Sequence, residues 1–184
     1  MTILDGKKTS NDIKDEIAHE VNSIISNGDR PPHLAAVIVG NDGASLTYVG
    51  SKVRACEKVG FDSTLVSLDD SISEEELLDK VYELNNDKKI DGYIVQLPLP
   101  EHIDTQKVLL AVDPKKDVDG FHPVNFGRMA LNLPTFISAT PNGIMELLKR
   151  YEVPTEGKNT IVIGRSDIVG LSLIHISEPT RPYL

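Results

Sequence analysis

Apolar residues recur along this chain with two alternating periods. Ile13, Ile17, Val21, Ile24 and Ile25 fall three or four positions apart and share one face of a helix over residues 10–27. Pro31-Pro32 closes that unit, and the unbroken run Leu34-Ala35-Ala36-Val37-Ile38-Val39 reads as a buried strand stopped by Gly40. A second helix is expected over residues 44–59, with Gly60 as its stop. Residues 63–68 read as a second strand. Ser73-Glu74-Glu75-Glu76 is a capping box opening a helix that carries Leu77, Leu78, Val81 and Leu84. A third strand is expected over residues 92–96 and a short helix over 105–112. Thr140-Pro141 reads as a helix start, Thr at the cap and Pro in the first turn, leading to Tyr151. Asn159-Thr160-Ile161-Val162-Ile163 completes the pattern as a fourth buried strand running into Gly164.

Uninterrupted apolar strands alternating with amphipathic helices define an α/β fold, a parallel sheet with helices on both faces. Residues 1–150 read as this first domain, with the 113–123 loop and the helix from Thr140 leading out of it. Residues 151–170 begin a second. The stretch 171–184 breaks the pattern: Leu171 to Ile176 lacks helical periodicity, and Pro179 and Pro182 fix the backbone and remove donors. It resembles a translated sequencing adapter and reads as a non-native tail.

Composition narrows the function. A chain of 184 residues holds one sizeable core, or one domain and part of another. Its 40% hydrophobic and 26% charged content is that of a folded globular protein. The formal charge of −9, without a Lys/Arg cluster, argues against nucleic acid as a partner. Cys56 is the single cysteine and the five histidines are scattered, so no metal site is expected. No apolar run has the length of a membrane span, and the N-terminus lacks a signal peptide's pattern, which predicts a cytoplasmic protein with no membrane partner.

Four strings carry candidate chemistry. Tyr48 and Lys52, four apart, share a helix face, although a surface lysine beside a half-buried tyrosine has the same spacing. Gln96 ends an apolar strand, where a parallel sheet presents residues to its ligand crevice, and Pro98 and Pro100 stiffen the loop after it. Asp117 and Asp119 alternate in a loop stopped by Gly120, as paired ligand contacts or as ordinary Asx turns. Gly164 to Gly170 follows a strand as a dinucleotide turn should, yet it is neither G-x-G-x-x-G nor a P-loop.

These strings occur together and in order: Tyr48-Val49-Gly50-Ser51-Lys52, Val95-Gln96-Leu97-Pro98-Leu99-Pro100, Lys116-Asp117-Val118-Asp119-Gly120-Phe121-His122-Pro123, Ala139-Thr140-Pro141-Asn142-Gly143 and Gly164-Arg165-Ser166-Asp167-Ile168-Val169-Gly170. In them the chain resembles the bifunctional methylenetetrahydrofolate dehydrogenase/cyclohydrolase (FolD) family from Met1 to Gly170. It departs from that family at Leu171-Ser172, and the rest of the cofactor domain is absent.

The resemblance implies NADP-dependent oxidation of 5,10-methylenetetrahydrofolate to the 5,10-methenyl form, followed by hydrolysis to 10-formyltetrahydrofolate, in a homodimer when full length. It implies Lys52 as the catalytic lysine, Gln96 as its partner, Tyr48 as a wall for the folate rings and Asp119 as the carboxylate holding the pterin. Leu97 and Pro98 would border the substrate, while Gly164, Arg165 and Ser166 would contact NADP in a Rossmann-type domain. The chemistry is coherent. A lysine near its ordinary pKa of ~10.4 is a poor base at neutral pH, so burial and a cationic substrate must lower it, and a neutral carboxamide partner does not oppose them. Two other readings stay open, cyclohydrolase activity alone and an inactive folate-binding fragment, since Lys52, Gln96 and Asp119 all precede the break at Leu171.

Overall fold

Strand β1 (His33–Val39) carries no polar side chain from Leu34 onward. Such a run is stable only inside a sheet covered on both faces. That is its position in the computed structural model, which describes residues 3–159, 161–163, 169–170 and 172–176. The chain divides into two units, Asn11–Asp117 and Met1–Ser10 with Val118–Leu184.

In the first unit β1 pairs in parallel with β2 (Asp62–Leu68) on one edge and β3 (Gly92–Val95) on the other, giving the order β2-β1-β3. Val37 lies opposite Val66 in one neighbour and Val95 in the other. Alternate β1 residues face opposite ways. Ala35, Val37 and Val39 join Tyr93 and Val95 in a core closed by Leu77, Val81 and Leu84 of α3 (Glu74–Asn86) and Val108 of α4 (Thr105–Ala111). Ala36 and Ile38, also buried, occupy the other side. There α2 (Gly43–Val59) packs on β1 and β2, with Val49, Cys56 and Val59 buried along it. Leu77 and Val81 are completely buried; burial of such a side chain contributes at most about 1.5–3 kcal/mol.

Local chemistry sets the element ends. Asp42 caps α2 by accepting from the Ser45 amide at 2.8 Å. Gly60 ends that helix at φ 83°, its N–H reaching the Cys56 and Glu57 carbonyls. Ser73 and Glu76 form the expected capping box, each side chain accepting from the other residue's amide at 3.2 and 3.0 Å. α1 (Gly6–Ser26) starts four residues earlier than the apolar spacing predicts, and lies against α2 through a Lys58–Asp15 ion pair of 3.2 Å. The Cys56 thiol is buried, and burial together with the neighbouring Glu57 charge pushes its pKa up.

A polar clasp closes the opposite end of the sheet. Arg30 donates to both Asp91 oxygens at 2.6 and 2.7 Å, and Asp91 also accepts from the His33 amide at 2.8 Å. This ties the lead-in of β1 to that of β3. The Arg30 hydrogen bonds hold the Asp91 carboxyl below its ordinary range.

The second unit departs further from the sequence pattern. A helix absent from the expected elements, α5 (Pro123–Ala130), begins directly at the end of the loop. Pro123 lies in its first turn, the His122 Nδ1 accepts from the Val124 amide at 3.1 Å, and Arg128 clamps the Pro134 carbonyl with two nitrogens at 3.0 and 2.9 Å. Eight residues with a central Gly127 are too few to display a clear period. Helix α6 (Ala139–Arg150) starts one residue before Thr140, so Ser138 occupies the cap and Thr140 does not. Pro141 remains in the first turn, where no amide donor is needed.

The expected fourth strand is not formed at its described positions: residue 159 and residues 161–163 are irregular, and Ile161 and Ile163 are 86% and 97% exposed. Apolar sequence alone does not make a strand, since its backbone groups need a paired neighbour, and this unit has no strand among its described residues. Conversely, α7 (Ser172–Ile176) is helical where no period is visible, because packing on α5 and α6 supports it. Among the described residues no helix is long and apolar enough to cross a membrane.

The Asp91 clasp has a definite pH signature. A carboxylate whose folded pKa is depressed stabilises fully above its unfolded value of ~3.9, and loses that contribution as pH falls through the lower folded value. Asp91→Asn should therefore melt below wild type at about pH 6, with the gap closing towards about pH 2. Melting curves at both ends check this; a gap constant with pH would show that Asp91 ionisation is not linked to folding.

Candidate active site

The order β2-β1-β3 creates a topological switch point. From β1 the chain moves to one side to form β2, then crosses back to add β3 on the other. The connections leaving β1 and β3 therefore diverge, opening the crevice where open α/β sheets bind ligands. β1 exits at Gly40, at φ 80°, where its amide reaches the Leu68 carbonyl at 2.9 Å. A Cβ there would lie 3.3 Å from that of Asp70. β3 exits at Gln96, whose amide extends the ladder by donating to the Val37 carbonyl at 2.9 Å.

The half-buried Gln96 folds back, Nε2 donating to the Leu97 carbonyl at 2.8 Å. Among the described residues its Oε1 accepts no hydrogen bond, so the carboxamide presents an acceptor. Leu97 is half-buried, the Leu97–Pro98 peptide is cis, Pro98 is exposed, and Leu99 is buried in the core cluster. The -Leu-Pro-Leu- segment thus combines an exposed bend with an apolar anchor.

Helix α2, leaving β1, supplies the amine. Val49 and Cys56 turn inward, and Tyr48 and Lys52 occupy an adjacent strip of the same helix. The Lys52 Nζ stands 4.9 Å from the centre of the Tyr48 ring. Tyr48 is 56% exposed and Lys52 half-buried. A cation over such a ring gains ~0.5–1 kcal/mol when exposed. Tyr48, Lys52 and Gln96 all belong to the Asn11–Asp117 unit.

The two loop aspartates differ. Asp117 is buried, its amide donates to the Asp113 carbonyl at 3.1 Å, and it forms a parallel bridge with Tyr93 at the edge of β3. Asp119 is half-buried and belongs to the second unit. Next to it Gly120 has φ 69°, and a Cβ there would lie 2.9 Å from the Ser138 nitrogen and 3.0 Å from the Phe136 oxygen. Glycine is thus required twice over, by conformation and by close backbone approach, a demand visible in the sequence only as a loop stop. Gly164, Arg165 and Ser166 lie outside the described residues.

A parallel α/β layer with a carboxamide at its switch point and a tyrosine–lysine pair on the adjoining helix has the architecture of a small-molecule enzyme domain. Residues 4–119 match the tetrahydrofolate dehydrogenase/cyclohydrolase catalytic domain, and residues 138–178 match the NAD(P)-binding domain of the same enzymes. The chain belongs to the tetrahydrofolate dehydrogenase/cyclohydrolase family.

It is 71% identical over 170 residues to the bifunctional protein FolD of Flavobacterium johnsoniae, covering 92% of this chain and 58% of that protein. The FolD protein of Porphyromonas gingivalis is 61% identical over 168 residues, covering 91% of this chain and 57% of that protein. The chain thus spans little more than half the length of these relatives. The crystal structure of FolD from Campylobacter jejuni superposes with a TM-score of 0.94 at 42% identity, over 98% of this chain and 64% of that one. The Trypanosoma brucei enzyme, solved with NADP cofactor and an inhibitor, gives 0.91 at 32% identity, over 97% of this chain and 61% of that one.

Two glycines provide opposite controls on this geometry. Gly120→Ala must tolerate a positive φ and a backbone collision, and should destabilise by roughly 1–3 kcal/mol. Gly127→Ala meets nothing within 4 Å inside α5 and should stabilise by about 0.5–1 kcal/mol. Thermal melts of both variants test the pair; equal shifts of one sign would contradict the close approach at Gly120.

Proposed function

We propose that the full-length form of this protein is a cytoplasmic, homodimeric enzyme of one-carbon metabolism. It oxidises 5,10-methylenetetrahydrofolate to 5,10-methenyltetrahydrofolate with NADP and hydrolyses the product to 10-formyltetrahydrofolate. The observation that carries this reading is the Lys52 amine held beside the Tyr48 ring on the helix that leaves the switch-point strand. The NADP assignment is supported by the match of residues 138–178 to an NAD(P)-binding domain. Residues 161–163 are irregular, with Ile161 and Ile163 exposed, and do not form the sheet edge on which a dinucleotide is held.

The chain's own residues supply the folate chemistry. Tyr48 offers an exposed aromatic face for a planar ring system. Water adding to the methenyl carbon must lose a proton, and the Lys52 amine in its neutral form takes it. The methenyl cation itself disfavours the ammonium form, lowering the lysine's pKa as substrate binds. Gln96 accepts from or donates to that amine without adding charge. Asp119 accepts two hydrogen bonds from a pterin amino group and ring N–H, a pairing that suits a carboxylate.

The irregular residues 161–163 favour a narrower reading for the 184-residue chain itself, folate binding without dehydrogenation. Incubated with methylenetetrahydrofolate and NADP, it should generate no NADPH absorbance. Turnover there would remove the narrower reading.

In a form extended to family length, Lys52→Met should lower both activities about 10²–10⁴-fold while folate still binds. Normal cyclohydrolase turnover in that variant would reduce Lys52 to a surface residue. Asp119→Ala should weaken folate binding roughly 10- to 150-fold, from ~1.5–3 kcal/mol of lost charged hydrogen bonding. Asp117→Ala should instead lower the melting temperature with a smaller loss of affinity. Titrations and melts of the two variants separate the roles, and a larger affinity loss at Asp117 would reverse the assignment.

A further inference from the structure

Residues 113–117, which lead to Asp119, are tied into the first unit by backbone and side-chain hydrogen bonds. Residues 113–117 make a tight turn, in which the Lys116 and Asp117 amides donate to the Asp113 carbonyl at 2.8 and 3.1 Å. The Lys115 amide reaches the Asp113 carboxylate at 2.9 Å. The turn then runs alongside β3, where the Tyr93 amide donates to the Lys116 carbonyl at 2.9 Å.

Two side chains fasten it to α3. The Asn85 Oδ1 accepts from the Tyr93 hydroxyl at 2.7 Å and from the Asp113 amide at 2.8 Å, while its Nδ2 donates to the Ala111 carbonyl at 2.8 Å. The Lys116 ammonium donates to the Leu84 and Asp87 carbonyls, both at 2.7 Å. These carbonyls lie in the last turn of α3 and at its cap residue, where positive charge complements the helix dipole. Beyond Asp119 the chain is fixed again, within the second unit, by the close approach of the Gly120 backbone to residues 136–138.

We propose that Asn85 and Lys116 are positioning residues that order the 113–117 turn, from which the chain runs on to Asp119, before folate arrives. This rests on the reading of Asp119 as the pterin-holding group. The polar atoms of Asn85 and Lys116 are directed to α3, the turn and β3, so both residues act through the backbone. A loop already ordered loses less conformational entropy on binding than one ordered by its ligand. Their loss therefore weakens binding without touching the Lys52 amine.

The test titrates the 184-residue chain calorimetrically with 5-formyltetrahydrofolate and follows amide exchange at residues 118–120 and 35–39. Lys116→Met should weaken binding roughly tenfold and speed exchange at 118–120, leaving 35–39 protected. Lys116→Arg, which keeps a charged donor, should restore both. Asn85→Leu alone leaves the buried Tyr93 hydroxyl only its 3.4 Å approach to the Val81 carbonyl and threatens folding, so it is paired with Tyr93→Phe, and the double variant should reproduce the Lys116→Met result.

Wild-type affinity and exchange in Lys116→Met would overturn the proposal, as would loss of protection spread evenly into β1, which marks a merely structural role. If wild type itself does not bind, the folate reading fails for this chain and exchange at 118–120 decides the positioning claim alone. Unchanged exchange there rejects it, and selective acceleration upholds it.

Discussion

A strand with apolar side chains on both faces needs hydrogen-bonded neighbours on both edges and helices on both sides, because water would otherwise reach its side chains and backbone. β1 satisfies this demand with β2 and β3 at its edges and two helical layers around it. The order it enforces has a chemical consequence. Since β2 and β3 lie on opposite sides of β1, their connections part at its C-terminal end, and that parting brings Gln96 to the start of a crevice. The core and the candidate chemistry therefore have one origin, and a substitution that unsettled Val37 would disturb both.

Where an element depends mainly on its own side chains, it is legible in the sequence. The apolar run of β1, the Ser73–Glu76 box and the Gly60 stop all act within a few residues, and each lies where local chemistry puts it. The tyrosine–lysine pair is legible for the same reason, since helical spacing alone brings positions 48 and 52 together. What escapes is set by distant partners. α5 depends on the Arg128 clamp and the His122 cap more than on periodicity, and α7 on neighbours contributed by α5 and α6.

The failed strand at residues 161–163 makes the same case from the other side. Its composition matches that of β1, yet β1 is paired along both edges, and the later segment along neither among the described residues. Strand propensity is a fit to a pleated, half-buried surface, and without the surface it has no expression. The site divides likewise. Tyr48, Lys52 and Gln96 follow from motif and strand end. The distinction between Asp117, pinned beside β3, and Asp119 follows only from which of two neighbouring carboxylates the fold buries.

Cys56 turns the sheet's covering layer into something that can be timed. It is the chain's only thiol, and it lies on the inward strip of α2 with a raised pKa. A labelling reagent can meet it as thiolate only when α2 lifts from the sheet or the unit unfolds. The labelling rate, compared with that of a free cysteine, is a direct clock of how often the helix bearing Tyr48 and Lys52 leaves its seat.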